Sequence, residues 1–342
     1  MSFFNHFGMG RQQVQSVAPP QAPSPSDRYW YGLAPYLESL GYRLQSPPQG
    51  AAVPITPHVR VAVELGTGRY VALKRLDTTE NPAEYEIMSQ ICSGTNGQDP
   101  KNHCVRCQAV LTPPNEPQAR ILVMPLLRKF GDMSFEKIKD AVEFVRQMLE
   151  GIEFLHQQGI AHLDISVNNI MFTGGEEPGS NAYFFIDFGK SMQFMEDTTP
   201  TAWDLQSTDL TVPEFLSSGF ATRASPLNPF AVDVYVLGNL IKRDLIEGNP
   251  DMSRAGYRGL EFLTSLAQYM TNRDPMARPT ITQARQYFEQ IRGGLDKKTL
   301  RHPCQRRTTY SNIPQRISAE VYHAVWSAYK RMLYITRSRS RG

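Results

Sequence analysis

The stretch "AHLDISVNNI" (residues 161–170) sets His162, Asp164 and Asn169 in an H-x-D-x-x-x-x-N frame. Two positions inside it where positive charge is usual lack it: Leu163 is apolar and Ser166 is neutral. Alone, the frame is common by chance, and a histidine two residues before an aspartate is ordinarily a hydrogen-bonded structural residue. Its setting changes the reading. Upstream, Ile138, Val142, Val145, Leu149, Ile152 and Leu155 recur at helical spacing, and Gly159 predicts the stop. Downstream, "IMF" (170–172) and "YFFIDFG" (183–189) predict a strand pair that delivers Asp187-Phe188-Gly189.

Working towards the N-terminus, "ARILVMPLL" (119–127) reads as a buried strand running into a linker, and "NPAEYEIMSQI" (81–91) as a short helix. Before them, "RVAVELGTGRYVALKRL" (60–76) alternates apolar and polar residues about Gly66-Thr67-Gly68. It predicts a β-hairpin with Lys74 on its second strand. "RYWYGLAPYLESLGYRL" (28–44) repeats Tyr29, Trp30, Leu33, Tyr36, Leu37 and Leu40 on a helical face that Gly41 ends, predicting a helix docked on the domain. Residues 1–26 are Gln/Pro/Ser-rich and predict a flexible tail, with folding beginning near Asp27. Helices are expected again at "GLEFLTSLAQYM" (259–270), "TITQARQYFEQI" (280–291) and "SAEVYHAVWSAYKRMLYI" (318–335).

Composition bounds the class. With 342 residues and 41% apolar content, the chain can build one large core or two lobes. The net charge of +3 hides an asymmetry, because residues 293–342 carry 11 Lys/Arg against Asp296 and Glu320, a net +9, leaving 1–292 at −6. That tail could meet an acidic partner or the acidic remainder of the chain, with a solvated extension favoured over specific binding of nucleic acid. No apolar run is long enough to span a bilayer and no signal peptide opens the chain, so a soluble intracellular protein, cytoplasmic or nuclear, is expected. Four cysteines are too few for a disulfide scaffold, and "HCVRC" (103–107) lacks the second ligand pair of a structural zinc site, so ordinary thiols are expected there.

Taken together, "VALKRL", "HLDISVNN", "IDFG", "TVPEFL", "AVDVYVLGNLI" and "NRDPMARPT" resemble the protein kinase superfamily over residues 59–292. More narrowly, "DPKNHCV", "LVMPLLRKF" and "HLDISVNNIMF" look like the divergent kinase-like families of mushroom-forming fungi. The resemblance implies an α+β, two-lobed kinase-like fold. An antiparallel-sheet N-lobe (27–127) with one helix would precede a mostly helical C-lobe (128–292), followed by the basic tail (293–342).

It also implies ATP and Mg²⁺ as cofactors and a protein as substrate. Asp164 takes the part of the base, and Asn169 and Asp187 hold the metal. Lys74 takes the part of the phosphate-pairing lysine, with Glu84 as its partner and Glu86 as the alternative. Met124 takes the gatekeeper position, and Pro125, Leu126 and Leu127 lie against the adenine. Glu214 and Arg278 are expected to form an architectural ion pair, and Asp233 to hold the catalytic-loop backbone.

Three departures accompany the resemblance. No G-x-G-x-x-G precedes Lys74: Gly66 and Gly68 lie too close to it and fit the hairpin turn, which leaves only Gly50 in "SPPQGAAVP" upstream. Ser166 stands where serine/threonine kinases carry a lysine near the γ-phosphate, and Leu163 stands where many carry an arginine that pairs with an activation-loop phosphate. The leading expectation is a Ser/Thr protein kinase independent of activation-loop phosphorylation. A pseudokinase scaffold and a small-molecule phosphotransferase are the alternatives.

Overall fold

In the computed structural model, the strand-pattern residues Val59–Glu64 (β2) and Tyr70–Asp77 (β3) pair antiparallel across the Gly66–Gly68 turn. Gly68 holds a φ of +69° there, a left-handed conformation that a side chain resists. The described residues are 24–48, 56–174, 181–195, 200–202, 205, 207, 209–216, 226–252 and 254–307. Helix Pro25–Ser39 (α1) and strand Tyr42–Leu44 (β1) precede the hairpin. Helix Pro82–Cys92 (α2) and strands Ala109–Leu111 (β4) and Ala119–Pro125 (β5) follow it. The five strands form one antiparallel sheet in the order β1-β2-β3-β5-β4.

Alternation along β3 divides the work of the two faces. Val71 and Leu73 point to α1 and form a core with Trp30, Leu37, Ala62, Ile121 and Val123. Trp30 and Leu37 are seven residues apart, two helical turns, and both are buried. The helix begins at Pro25, two residues before Asp27, because Ser24 caps it. Ser24 Oγ accepts from the Asp27 amide at 3.1 Å, and the Ser24 amide donates back to the Asp27 carboxylate at 3.2 Å. The opposite face of the sheet meets α2, whose Ile87, Met88 and Ile91 are buried in the larger core.

"HCVRC" joins the lobes. The Phe185 amide donates to the His103 carbonyl at 2.8 Å and the Val105 amide to the Phe185 carbonyl at 2.9 Å. Cys104 is fully buried, and burial raises the pKa of Cys92, Cys104 and Cys107, that of Cys107 to about 11. These are packed thiols.

The second lobe is organised by Ile138–Gln157 (α3), which buries residues on nearly every turn. Gly159 ends it with a φ of +73°, and a Cβ there would sit 2.4 Å from the Phe194 carbonyl oxygen, so glycine is required on two counts. Beyond it lie the short strands Ile160–Ala161, Ile170–Phe172 and Tyr183–Phe185, the last two paired antiparallel. Helices Pro213–Leu216 (α4), Pro229–Leu240 (α5), Thr264–Met270 (α6), Ile281–Gly293 (α7) and Lys297–Arg301 (α8) complete the lobe.

The chain does not leave the lobe at residue 293. The Ile138 amide donates to the His302 carbonyl at 3.0 Å, the Cys304 amide to the Glu136 carbonyl at 2.8 Å, and the Arg306 guanidinium lies 4.7 Å from the Tyr257 ring centroid. The first part of the basic stretch therefore closes the N-terminal end of α3. The helix expected over 318–335, the tail before Ser24 and Gly50 lie outside the described residues. Among the described residues no helix is long and apolar enough to cross a membrane.

Candidate active site

The loop from His162 to Asn169 is fixed from below by Asp233 of α5. This fully buried carboxylate accepts the His162 amide at 2.7 Å and the Leu163 amide at 2.8 Å, and His156 Nε2 lies 3.1 Å from it. Leu163 is held with a φ of +61°, rare outside glycine, and its side chain is buried. His162 is fully buried between Phe185 and Phe188, and its Nδ1 accepts the Asp164 amide at 3.2 Å. Burial pushes the His162 pKa down, against the pull of Asp233, Asp164 and Asp187, so the ring is neutral and acts as an acceptor.

Asp164 and Asn169 are joined directly. Asn169 Nδ2 donates to the Asp164 carbonyl and to Asp164 Oδ2, each at 2.9 Å. The second carboxylate oxygen, Oδ1, lies 3.1 Å from Lys190 Nζ. Because the amide nitrogen of Asn169 is spent on Asp164, its oxygen is the end left for another partner.

Lys74 stands on β3, facing α2 and the turn that carries Asp187 just beyond the strand Tyr183–Phe185. Its Nζ donates to Glu84 Oε1 at 2.5 Å and to Asp187 Oδ1 at 2.9 Å. Burial opposes the charge on Lys74, but the two carboxylates outweigh it and raise the pKa. Burial likewise opposes the charge on Asp187, yet Lys74 and the Gly189 amide hold its pKa below the ordinary carboxylate value. Glu84 and not Glu86 makes the contact because Glu84, Ile87, Met88 and Ile91 share one helical face, while Glu86 points to solvent.

Asp187 has a φ of +66°, which turns its carboxylate towards Lys74, and Asn81 Nδ2 donates to the Gly189 carbonyl at 3.2 Å, tying the entrance of α2 to the same turn. The backbone links the two halves of the cluster, since the Ile186 amide donates to the Asn169 carbonyl at 3.0 Å.

Residues 124–127 lie beside this cluster rather than in it. Met124 is paired with Ala72 and so shares the sheet face of Lys74. Pro125, paired with Val71, turns its ring to the α1 face and has no N–H to offer, and the Leu126 amide donates to the Tyr70 carbonyl at 3.3 Å. A cavity of about 760 Å³ is lined by Pro125, Leu126 and Leu127 with Tyr42, Glu64 and Tyr70 among others. It does not reach Lys74, Asp164, Asn169 or Asp187.

Sequence reasoning passed over Lys190, Asn81 and His156. Only Lys190 carried a local signal, as a cation directly after Asp187-Phe188-Gly189. Glu214 and Arg278 are paired and buried, with Arg278 Nη1 donating to Glu214 Oε1 at 2.6 Å.

Serine/threonine-protein kinase CAK1 of Saccharomyces cerevisiae is 33% identical over 91 residues, 27% of this chain and 24% of that protein. Calcium/calmodulin-dependent protein kinase type 1 of Macrobrachium nipponense is 24% identical over 191 residues, 51% of this chain and 54% of that protein. The hormonally up-regulated neu tumor-associated kinase homolog of Xenopus tropicalis is 24% identical over 250 residues, 66% and 34% of the two chains. The matches thus span from about a quarter to about half the length of these relatives. The protein kinase domain model matches residues 56–288, well over half of the sequence, and with the fold and the charged cluster described above, the chain belongs to the protein kinase family.

Proposed function

We propose that the protein transfers the γ-phosphoryl group of ATP to serine or threonine hydroxyls of protein substrates. The observation that carries the reading is Lys74 bridging Glu84 and Asp187 while Asn169 joins Asp164. The residues present suit the cofactors. Asp187 and the oxygen end of Asn169 are hard donors of the kind Mg²⁺ prefers, and Lys74 is a charged, strand-mounted donor for phosphate oxygens. Mg²⁺, when bound, would offset the charge of the phosphates.

Asp164 would orient the acceptor hydroxyl and take its proton, with Asn169 fixing the plane of its carboxylate. Met124 and the segment Pro125–Leu127 would lie against the adenine. Leu163 offers no positive charge, so activity would not depend on an activation-loop phosphate. Phosphatase treatment should leave the rate unchanged, and a lost rate in folded protein would refute that point.

The decisive experiment is transfer of labelled phosphate from MgATP by the native chain and by Asp187→Ala. Transfer by the first and not the second supports the reading. Neutral Ser166 keeps the scaffold reading alive as the alternative, which predicts neither transfer nor thermal stabilisation by MgATP.

A further inference from the structure

Phosphoryl transfer builds negative charge on the moving group, and fixed cations beside it lower the barrier. Ser166 contributes none from the loop, and the ammonium of Lys74 is engaged with Glu84 and Asp187. Lys190 reaches Asp164 from the segment after Gly189. Its Nζ is 3.1 Å from Asp164 Oδ1, while Asp164 Oδ2 accepts from Asn169. The carboxylate is thus bracketed by an amide on one oxygen and an ammonium on the other.

The base of Lys190 is anchored on both sides. Asn81 holds the Gly189 carbonyl, the Ser191 amide donates to the Phe188 carbonyl at 3.0 Å, and Ser191 Oγ donates to the His162 carbonyl at 3.0 Å. The Lys190 side chain is 34% exposed against 12% for Asp164, so the ammonium stands at the open side of the pair. For stability alone, such a half-exposed pair contributes little.

We propose that Lys190 is the transposed cation of the transfer step, supplying from the segment after Gly189 the charge that Ser166 does not supply from the loop. It holds Asp164 in place and offsets the charge on the phosphoryl group in transit. In that step the acceptor O–H proton passes to Asp164, the acceptor oxygen bonds to the γ-phosphorus, and the bond from that phosphorus to the bridging oxygen breaks, releasing ADP. Lys190 keeps its proton throughout. The proposal rests on the kinase reading above.

The test is steady-state transfer from MgATP to a generic serine/threonine peptide by the full chain and by Lys190→Met, Lys190→Arg and Lys190→Met combined with Ser166→Lys. Lys190→Met should lower kcat by about 10- to 100-fold, with both KM values within roughly threefold and an unchanged melting temperature. Lys190→Arg should keep most of the rate, and Ser166→Lys should restore about tenfold or more to the Met variant. Lys190→Ala replaces the Met variant should that one not fold. A kcat within about twofold of native, a loss confined to KM, or no recovery with Ser166→Lys overturns the proposal. No transfer by the native chain overturns the kinase reading and the proposal with it, whereas native transfer with an unaffected Met variant overturns the role of Lys190 alone.

Discussion

Asp233 Oδ1 accepts the amide of Leu163 at 2.8 Å, and Leu163 is one of three non-glycine residues among those described with a positive φ. The buried carboxylate stabilises a backbone conformation that a leucine would not adopt unaided. Asp233→Asn keeps an oxygen for one of the two backbone donors and turns an amide N–H towards the other, which loses its acceptor. We expect a loss of about 1.5–3 kcal/mol for each charge-assisted bond that is broken, measured by urea unfolding, together with reduced transfer. A variant with native stability would show that the loop holds its shape without Asp233.

Glu84→Gln removes one of the two carboxylates that fix Lys74. We expect kcat/KM for ATP to fall by about tenfold or more, since a misplaced lysine costs positioning as well as charge. Glu86→Gln, on the solvent face of the same helix, should stay within about 0.5 kcal/mol of native stability and keep its rate. Equal effects from both substitutions would reject the pairing. The measurement is steady-state kinetics with ATP varied.

Asp164 touches Asn169 and Lys190, and replacing it by asparagine preserves shape while removing its capacity to accept a proton. Asp164→Asn should lower kcat by about 10²-fold or more, with the KM for ATP and the melting temperature little changed. An unchanged kcat would remove Asp164 from the role of base.

Much of this site was legible in the sequence, partly from local periods and partly from the resemblance to protein kinases. Strand alternation puts Lys74 on β3, but its part comes from the likeness of "VALKRL" to the kinase family; Glu84 follows from the helical face it shares with Ile87, Met88 and Ile91, and the loop from its place between a helix and a strand pair. The contact of Lys190 with Asp164 was not legible, since it depends on a turn in which Asp187 takes a φ of +66°. Nor was the role of residues 297–307. Their charge suggested a solvated tail, whereas the decisive contacts are the backbone groups of His302 and Cys304 meeting the start of α3. Backbone pairing of that kind leaves no trace in composition.

The Lys74–Asp187 pair has a definite pH window. The pKa of Asp187 is lowered from 3.8, so its contribution is complete above that ordinary value and is lost as pH falls through the depressed one. The pKa of Lys74 is raised from 10.5, so its contribution is complete below that value and is lost as pH rises through the raised one. The stability difference between native protein and Lys74→Met should therefore be flat from about pH 5 to 9 and shrink on the acid side only below the ordinary carboxylate range. A difference that changes near pH 7 would point to another titrating partner.

Arg278 and Glu214 make the strongest structural prediction, because the Arg278 side chain is fully buried and that of Glu214 nearly so. Arg278 also donates to the Asn272 carbonyl at 2.7 Å and the Ala231 carbonyl at 3.1 Å and lies 4.9 Å from the Tyr235 ring centroid, so it ties α4, α5 and the turn before α7 into one unit. Removing one partner strands the other as an uncompensated buried charge. Glu214→Gln and Arg278→Met should each cost about 3–5 kcal/mol by urea unfolding. Arg278→Met should be the more severe, since it also removes the donor to the Asn272 and Ala231 carbonyls. The double variant should lose less than the sum of the singles, because no lone charge then remains buried. Strict additivity would mean that the two residues stabilise the lobe independently, and that the ion pair is not what joins these elements.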